Sequence, residues 1–579
     1  MKNSAIRYAI RPLNPIAHRF EVSCEVALPA PEGQRFSLPA WIPGSYLIRD
    51  FARHIVAIRA EAGGKPVCLH KIDKQTWQAA PVPADRPLIV TCEIHAWDLS
   101  VRSGDLDQTH GFFNGTSVFL RVLGQEAAPC LVDIQPPDDP TFRHWRVATT
   151  LEARDAPPHG FGLYRAENYD ELIDHPVEMG EFTLVSFTAC GVLHEIALTG
   201  QHDCDTERLC ADLQRVCTWQ INFFGQPAPL SRYLFLVTAV GEGYGGLEHR
   251  ASTALLCSRH DLPWPGMKDI SEGYRNFLGL CSHEYFHTWH VKRIKPAAFT
   301  PYDLERENYT RLLWVFEGIT SYYDDLVLLR SGVIPLADWL ELVAKTISNV
   351  QRGPGRLRQS IAESSFDAWS KFYRPDENTP NAVVSYYAKG ALTALALDLI
   401  LRQKTADRVS LDTLMRALWQ RYGQTGRGLG EEDFRQLAEE LSGLKLARFF
   451  ADYVDGTREL PLKSLLAASG FRLHWEAAKT PALGVKTEAQ GSEVRLATVY
   501  DGGAAQTAGL ASGDVLVAID GLRVSTASLE KQLARHSPGD LLKVHAFRRD
   551  ELMCFTLRLD PPASDTAHLS GSGKGWPGA

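Results

Sequence analysis

The five residues His283-Glu284-Tyr285-Phe286-His287 constrain this chain more than any other stretch. Two histidines four apart on a helix project from one face, about one turn from each other. That spacing lets two imidazole nitrogens reach one metal ion, with Glu284 beside them as general base. The surrounding residues carry a helical pattern. Tyr274, Phe277, Leu278, Cys281 and Tyr285 recur at steps of three and four, which predicts a helix from Asp269 to Ile294 with Pro296 as its stop. A motif of this kind on such a helix implies a zinc hydrolase.

Catalytic zinc sites use three protein ligands and keep a fourth position for water. The histidine-rich continuation of one large class would place Gly at 290 and His at 293. The chain has His290 and Arg293, which excludes it. Cys281 would leave from the wrong helix face. The remaining source is an acid on a second helix. Leu313-Trp314-Val315-Phe316-Glu317-Gly318-Ile319 is an apolar helical run with one carboxylate embedded in it. An acid amid such neighbours is costly unless paired or metal-bound, so Glu317 is the expected third ligand. Asp324, seven residues on, falls on the same helix face and is a candidate partner for a ligand imidazole, though a surface role serves it equally well.

Several longer strings then resemble known families. WVFEGITSYY around Glu317 looks like the glutamate helix of gluzincin aminopeptidases. HEYFHTWHVKRIKP is more specific and resembles the glycyl aminopeptidase family of thermolysin-like metallopeptidases. Trp41–Ile55 (WIPGSYLIRDFARHI), Gly245–His249 (GGLEH) and Ser385–Leu392 (SYYAKGAL) match the same family. His290 is a departure, since the family is expected to carry Asn there.

The resemblance implies roles for three further segments. Tyr387 would stabilise the oxyanion, as preorganised donors aimed at developing negative charge do. Tyr386 is its rival, and helix register does not separate the two. Gly245 and Gly246 would let substrate backbone approach an exposed strand, and Glu248 would hold the free α-amine. The family likeness also implies a small first residue, Gly or Ala. A Gly-rich turn before a strand is the structural alternative for this segment.

The rest of the chain sets the architecture. Residues 1–170 alternate apolar and polar in short runs, as at Arg19–Val26 and Leu88–Ile94, which predicts an all-β domain. Residues 171–470 begin with more strands, including Tyr233–Val237, and then turn helical, as a thermolysin-like catalytic domain does. Arg352–Pro380 is broken by Gly, Pro and Ser and is expected to be an irregular segment or lid. Residues 471–560 resemble a bacterial PDZ domain through Ala505–Gly521. In such domains a loop corresponding to Leu483, Gly484 and Val485 binds a C-terminal carboxylate through backbone N–H groups. A PDZ unit that only packs on the catalytic domain is the alternative. Residues 561–579, rich in Ser, Gly and Pro, read as a disordered tail. The expected class is therefore multidomain α+β.

The 579 residues carry a formal net charge of −8 and no Lys/Arg run, which argues against a nucleic-acid partner. No apolar stretch approaches 18 residues, so no membrane span is expected. The first twenty residues lack a secretory h-region, and eleven cysteines without CxxC spacing fit reduced thiols in a cytoplasmic protein. The expected activity is a cytoplasmic aminopeptidase that holds one Zn2+ per chain and acts on peptides with a free N-terminus. The competing readings are an endopeptidase with the same zinc site and a PDZ-based peptide-binding scaffold.

Overall fold

The computed structural model describes residues 5–83 and 85–571. The chain forms two compact units. One comprises Met1–Asn308, Arg330–Ile334 and Arg416–Leu429, and the other Tyr309–Leu329, Pro335–Met415 and Gly430–Ala579.

The first unit opens with β structure, as the two-residue alternation predicts. Arg19–Val26 and Leu88–His95 pair antiparallel, with Phe20 opposite Ile94, Val22 opposite Cys92 and Cys24 opposite Val90. All six of these side chains are buried, while the intervening Glu21, Ser23, Thr91 and Glu93 are only half-buried. A slip of one residue would turn the whole apolar set outward, so the core fixes the register. These two strands lie centrally in an eight-stranded sheet, and two four-stranded sheets accompany it.

A five-stranded sheet follows, in the order Phe182–Ala189, Val192–Thr199, Arg232–Val240, Ser252–Ser258, Tyr244–Glu248. Its middle strand is buried continuously from Tyr233 to Val237, as suits a parallel strand covered on both faces. The helix Thr206–Phe224 connects the second and third strands. The motif helix runs from Glu272 to Phe286 and is capped by the Ser271 side chain. Tyr285, between the two motif histidines, docks it on the sheet. Its ring meets Tyr233 at 4.7 Å between centroids, and its hydroxyl donates to His194 Nε2 over 2.9 Å. Gln220 of the neighbouring helix donates to the Ser282 carbonyl at 2.9 Å.

This helix is shorter than the periodicity predicts. It ends at His287 rather than continuing to Ile294. The chain turns instead, with Val291 at φ 109°, the Lys292 N–H on the His287 carbonyl and the Ile294 N–H on that of Trp289. A β-branched residue at positive φ is strained, and a local periodicity cannot register such a turn.

In the second unit, a π-helical turn at Trp314–Gly318 leads into the helix Ile319–Arg330, and the helix Ala388–Thr405 is buried along most of its length. The segment from Arg352 to Pro380 folds as short helical pieces at Pro354–Leu357, Ile361–Phe366 and Ala368–Phe372, the second closed by a Ser360/Glu363 capping box. A six-stranded sheet built from Val485–Arg558 forms the C-terminal β region. Asn381 ties it to the helical part, donating to the Val499 carbonyl at 2.9 Å and accepting from the Asp501 N–H at 3.0 Å. An ion pair of 2.8 Å between Arg358 and Asp501 adds to the junction.

The tail departs from the expectation of disorder. Thr566–Gly571 forms a strand paired with Phe471–Glu476, and its Ala567 N–H donates to Ser348 Oγ. The buried Ala567 and these ladder bonds outweigh the polar composition that suggested disorder. Residues 572–579 of that expected tail lie outside the described residues. Among the described residues no helix is long and apolar enough to cross a membrane.

Candidate active site

In the first unit, the end of the motif helix faces the edge strand Tyr244–Glu248. His283 and His287 present their Nε2 atoms to each other at 3.0 Å, with their rings nearly perpendicular. His287 is buried, and its Nδ1 donates to the carbonyl of His290 at 2.7 Å. A carbonyl can only accept, so this bond puts the ring proton of neutral His287 on Nδ1 and leaves the lone pair on Nε2. The turn at Val291 presents that carbonyl. The contact uses the backbone of residue 290, so the departure from Asn at this position does not remove it. Two converging imidazole nitrogens with one tautomer fixed from behind fit a metal ion well.

Glu284 is buried and lies against Gly246. A Cβ on that glycine would stand 2.6 Å from Glu284 Cδ and 2.7 Å from Cγ, with Oε1 closer still. The His249 N–H bonds to the Ser252 carbonyl, which fixes the alternation of the antiparallel pair. The peptide groups of Leu247 and Gly245 therefore face the neighbouring strand, whereas those of Gly246 and Glu248 face outward along the free edge. Of the two glycines, Gly246 is the one that presents its backbone and makes room for Glu284.

Glu248 is buried, and one ligand atom from each of Glu248, Glu284 and His287 lies within 4.8 Å of the others. Two buried carboxylates this close favour a cation between or beside them. The Glu248 carboxylate rests on Gly44 of the Trp41–Ile55 string. A Cβ there would be 2.5 and 2.6 Å from its two oxygens, and Gly44 has φ 98°. Only glycine suits such a conformation and such a contact. Behind Glu248, buried Asp174 accepts from Lys292 Nζ at 2.7 Å, the Arg250 N–H at 3.1 Å and His249 Nδ1 at 3.2 Å. Burial alone would raise the Asp174 pKa, but Lys292 and Arg250 outweigh it and hold the carboxyl well below its usual range.

In the second unit, Glu317 is buried within the π-helical turn among Trp314, Val315 and Phe316. Gly318 and Gly390 allow this turn to meet the start of the helix Ala388–Thr405. A Cβ on Gly318 would be 2.7 Å from both the Gly390 Cα and the Tyr386 carbonyl oxygen. Tyr386 is fully buried and its pKa is well raised, by burial first and then by the charges of Tyr373 and Glu317. Tyr387 is half-buried, and its hydroxyl lies 3.1 Å from that of Tyr373. Asp324 is half-buried on the helix Ile319–Arg330.

In the C-terminal sheet, Val485–Gln490 is an edge strand. Leu483 is buried, and Gly484, at φ 72°, packs on Gly503 and offers its carbonyl to the Tyr500 N–H.

Comparison with known proteins places the whole chain. The crystal structure of an aminopeptidase N family protein from Idiomarina loihiensis is 42% identical, with a TM-score of 0.96 over 99% of both chains. A model of the peptidase M61 N-terminal domain matches residues 7–181, one of the M61 glycyl aminopeptidase matches residues 276–393, and one of the PDZ domain matches residues 481–559. The chain belongs to the M61 glycyl aminopeptidase family. It is a metallopeptidase with a C-terminal PDZ domain. An M1 zinc metallopeptidase from Deinococcus radiodurans is 14% identical, with a TM-score of 0.48 over 80% of this chain and 95% of its own. No curated protein matches.

Three residues near these sites went unnoticed in the sequence: Gly44 as a residue touching Glu248, Tyr373 beside Tyr387, and Arg102, whose Nη2 donates to the Gly246 carbonyl at 3.4 Å. Gly44 stood inside a quoted family string, which was a usable signal. Tyr373 and Arg102 carried none, because neither lies in a motif and each meets its motif partner only through the fold.

Proposed function

We propose that the enzyme is a zinc aminopeptidase that removes one small N-terminal residue, Gly or Ala, from peptides. In this reading His283, His287 and Glu317 are the three protein ligands of one metal ion. Two imidazoles and a carboxylate are the ligand chemistry of a catalytic zinc site with an open position. When bound, zinc supplies a Lewis acid that lowers the pKa of water toward about 7.

The residues of the chain do the rest. Glu284 takes the proton from the attacking water and returns it to the departing amine nitrogen. The Tyr387 hydroxyl donates to the developing oxyanion; its half-buried position favours it over the fully buried Tyr386. Gly245 and Gly246 keep the strand free of side chains, and the outward peptide groups of Gly246 and Glu248 offer hydrogen bonds to an extended substrate. Glu248 accepts the substrate α-ammonium. In this reading residues 171–470 carry the chemistry, between the β domain 1–170 and the PDZ unit 471–560. Leu483, Gly484 and Val485 form a carboxylate loop for a C-terminal peptide beside the edge strand.

The observation that carries the exopeptidase reading is the pair of buried carboxylates, Glu248 and Glu284, gathered beside a ligand histidine. A free ammonium is the substrate group that such a pair attracts. The Glu284→Gln variant is expected to lose turnover while zinc, measured by elemental analysis, stays stoichiometric. Full activity in that variant removes the base. Free and N-acetylated glycyl peptides then decide the type of peptidase. An enzyme that cuts both equally is an endopeptidase, and Glu248 has no amine to bind.

A further inference from the structure

We propose that Arg102 binds the C-terminal carboxylate of a short peptide, so that the enzyme measures its substrate at both ends and favours dipeptides. This rests on Glu248 as the ammonium anchor. Arg102 comes from the β domain, far from the motif helix in sequence, yet it reaches the free edge of the substrate strand. Its Nη2 donates to the outward-facing Gly246 carbonyl at 3.4 Å, the long limit of a hydrogen bond. Its Nη1 lies 3.5 Å from where a Cβ on Gly245 would stand, so the guanidinium packs beside the strand at ordinary contact distance.

Two features mark this arginine as poised for an anion. Among the described residues it makes no ion pair, and that single long bond is the only hydrogen bond of its guanidinium. A half-buried guanidinium with five donors and one weak acceptor is matched by a carboxylate, which accepts two parallel bonds from it. Its backbone is also held in place. Buried Asn114 donates from Nδ2 to the carbonyls of Val101 and Ser103 on either side, at 2.9 and 3.3 Å. The Arg102 N–H bonds to Ser100 Oγ at 3.3 Å, and both Val101 and Ser103 are buried.

The spacing selects the ligand. An extended strand advances roughly 3.4 Å per residue, so the α-nitrogen and carboxylate of a dipeptide lie about 7 Å apart. The backbones of Glu248 and Gly246, two residues apart on one strand, have about the same separation. A dipeptide with its ammonium at Glu248 therefore brings its carboxylate beside Gly246, under the guanidinium. A longer peptide offers Arg102 only a neutral carbonyl at that place.

The test uses zinc-loaded Glu284→Gln protein, which holds ligand without cleaving it, titrated by calorimetry with glycyl-alanine and glycyl-alaninamide. The acid is expected to bind about tenfold tighter or more, as a charge-assisted pair would give. Adding Arg102→Gln is expected to bring the two ligands within about twofold while leaving affinity for the amide unchanged, and Arg102→Lys to keep part of the preference. Equal binding of acid and amide before the arginine is changed overturns the proposal, and so does a preference that survives Arg102→Gln. If Arg102→Gln does not fold, the acid–amide comparison with Arg102 present decides alone. N-acetyl-glycyl-alanine separates the two ends. If it binds as tightly as glycyl-alanine, the Glu248 anchor fails, whatever the carboxylate end shows.

Discussion

Replacing Gly246 by Ala should disable the enzyme without unfolding it. The new Cβ would lie 2.6 Å from Glu284 Cδ and 2.7 Å from Cγ, where carbon atoms ordinarily keep about 3.5–4.0 Å. What gives way is the far end of the glutamate side chain, by about 1 Å. Gly246 does not have positive φ, so Ala suits its backbone. Stiffening the unfolded chain stabilises by about 0.4–1 kcal/mol, and an off-rotamer glutamate costs about 0.5–1.5 kcal/mol, so the two nearly cancel. Catalysis has no such compensation, since a misplacement of about 1 Å costs on the order of a hundredfold in rate. Thermal unfolding, zinc content and kcat on a glycyl anilide give the three readouts. Tm should stay within about 3 °C, zinc should remain, and kcat should fall about a hundredfold. A kcat within threefold of the parent refutes the packing argument. So does a loss of activity that merely follows a loss of folded protein.

Tyr387→Phe should lower kcat by about a hundredfold or more with KM little changed, and Tyr373→Phe by about tenfold, because the second hydroxyl only holds the first. If Tyr386→Phe gives the larger loss, the oxyanion role passes to Tyr386. Asp174→Asn strips Lys292 and Arg250 of a buried counter-charge and should cost about 3–5 kcal/mol, lowering Tm by roughly 5–10 °C; an unchanged Tm sinks that account. His110 lies between Glu178 and Asp105. Burial opposes its charge, but the two carboxylates win and push its pKa up to about 10. Its contribution is therefore complete below pH about 6.5 and is lost as pH rises toward 10, by on the order of a few kcal/mol. Urea unfolding across that range should weaken for the parent and stay flatter for His110→Gln; parallel slopes would contradict it.

What the sequence revealed and what it hid follow from how local each interaction is. His283, Glu284 and His287 are set by one helix turn, and the alternation at Arg19–Val26 by one strand, so both could be read directly. The helix beyond His287 could not, because a strained turn at Val291 overrides the periodicity through backbone bonds to His287 and Trp289. The tail misled for a similar reason. Its Ser- and Gly-rich composition says nothing of a partner strand at Phe471–Glu476, nearly a hundred residues earlier. The two tyrosines were inseparable by register and differ in burial, which only packing determines.

Catalysis and selection draw on different parts of this chain. Glu284, the proposed base, and its two histidine neighbours sit on one helix and are preorganised by contacts a few residues long. The groups that would recognise a substrate come from distant parts of the chain. Glu248 rests on Gly44, and Gly246 receives Arg102, each from the β domain. A substitution in that domain can therefore alter which peptide binds while the helix, and with it the proton transfer, stays intact. Arg102→Gln should accordingly change KM for dipeptides far more than kcat, whereas Gly246→Ala should do the reverse. If both variants shifted the same constant by the same factor, recognition and proton transfer would not be separable along this strand.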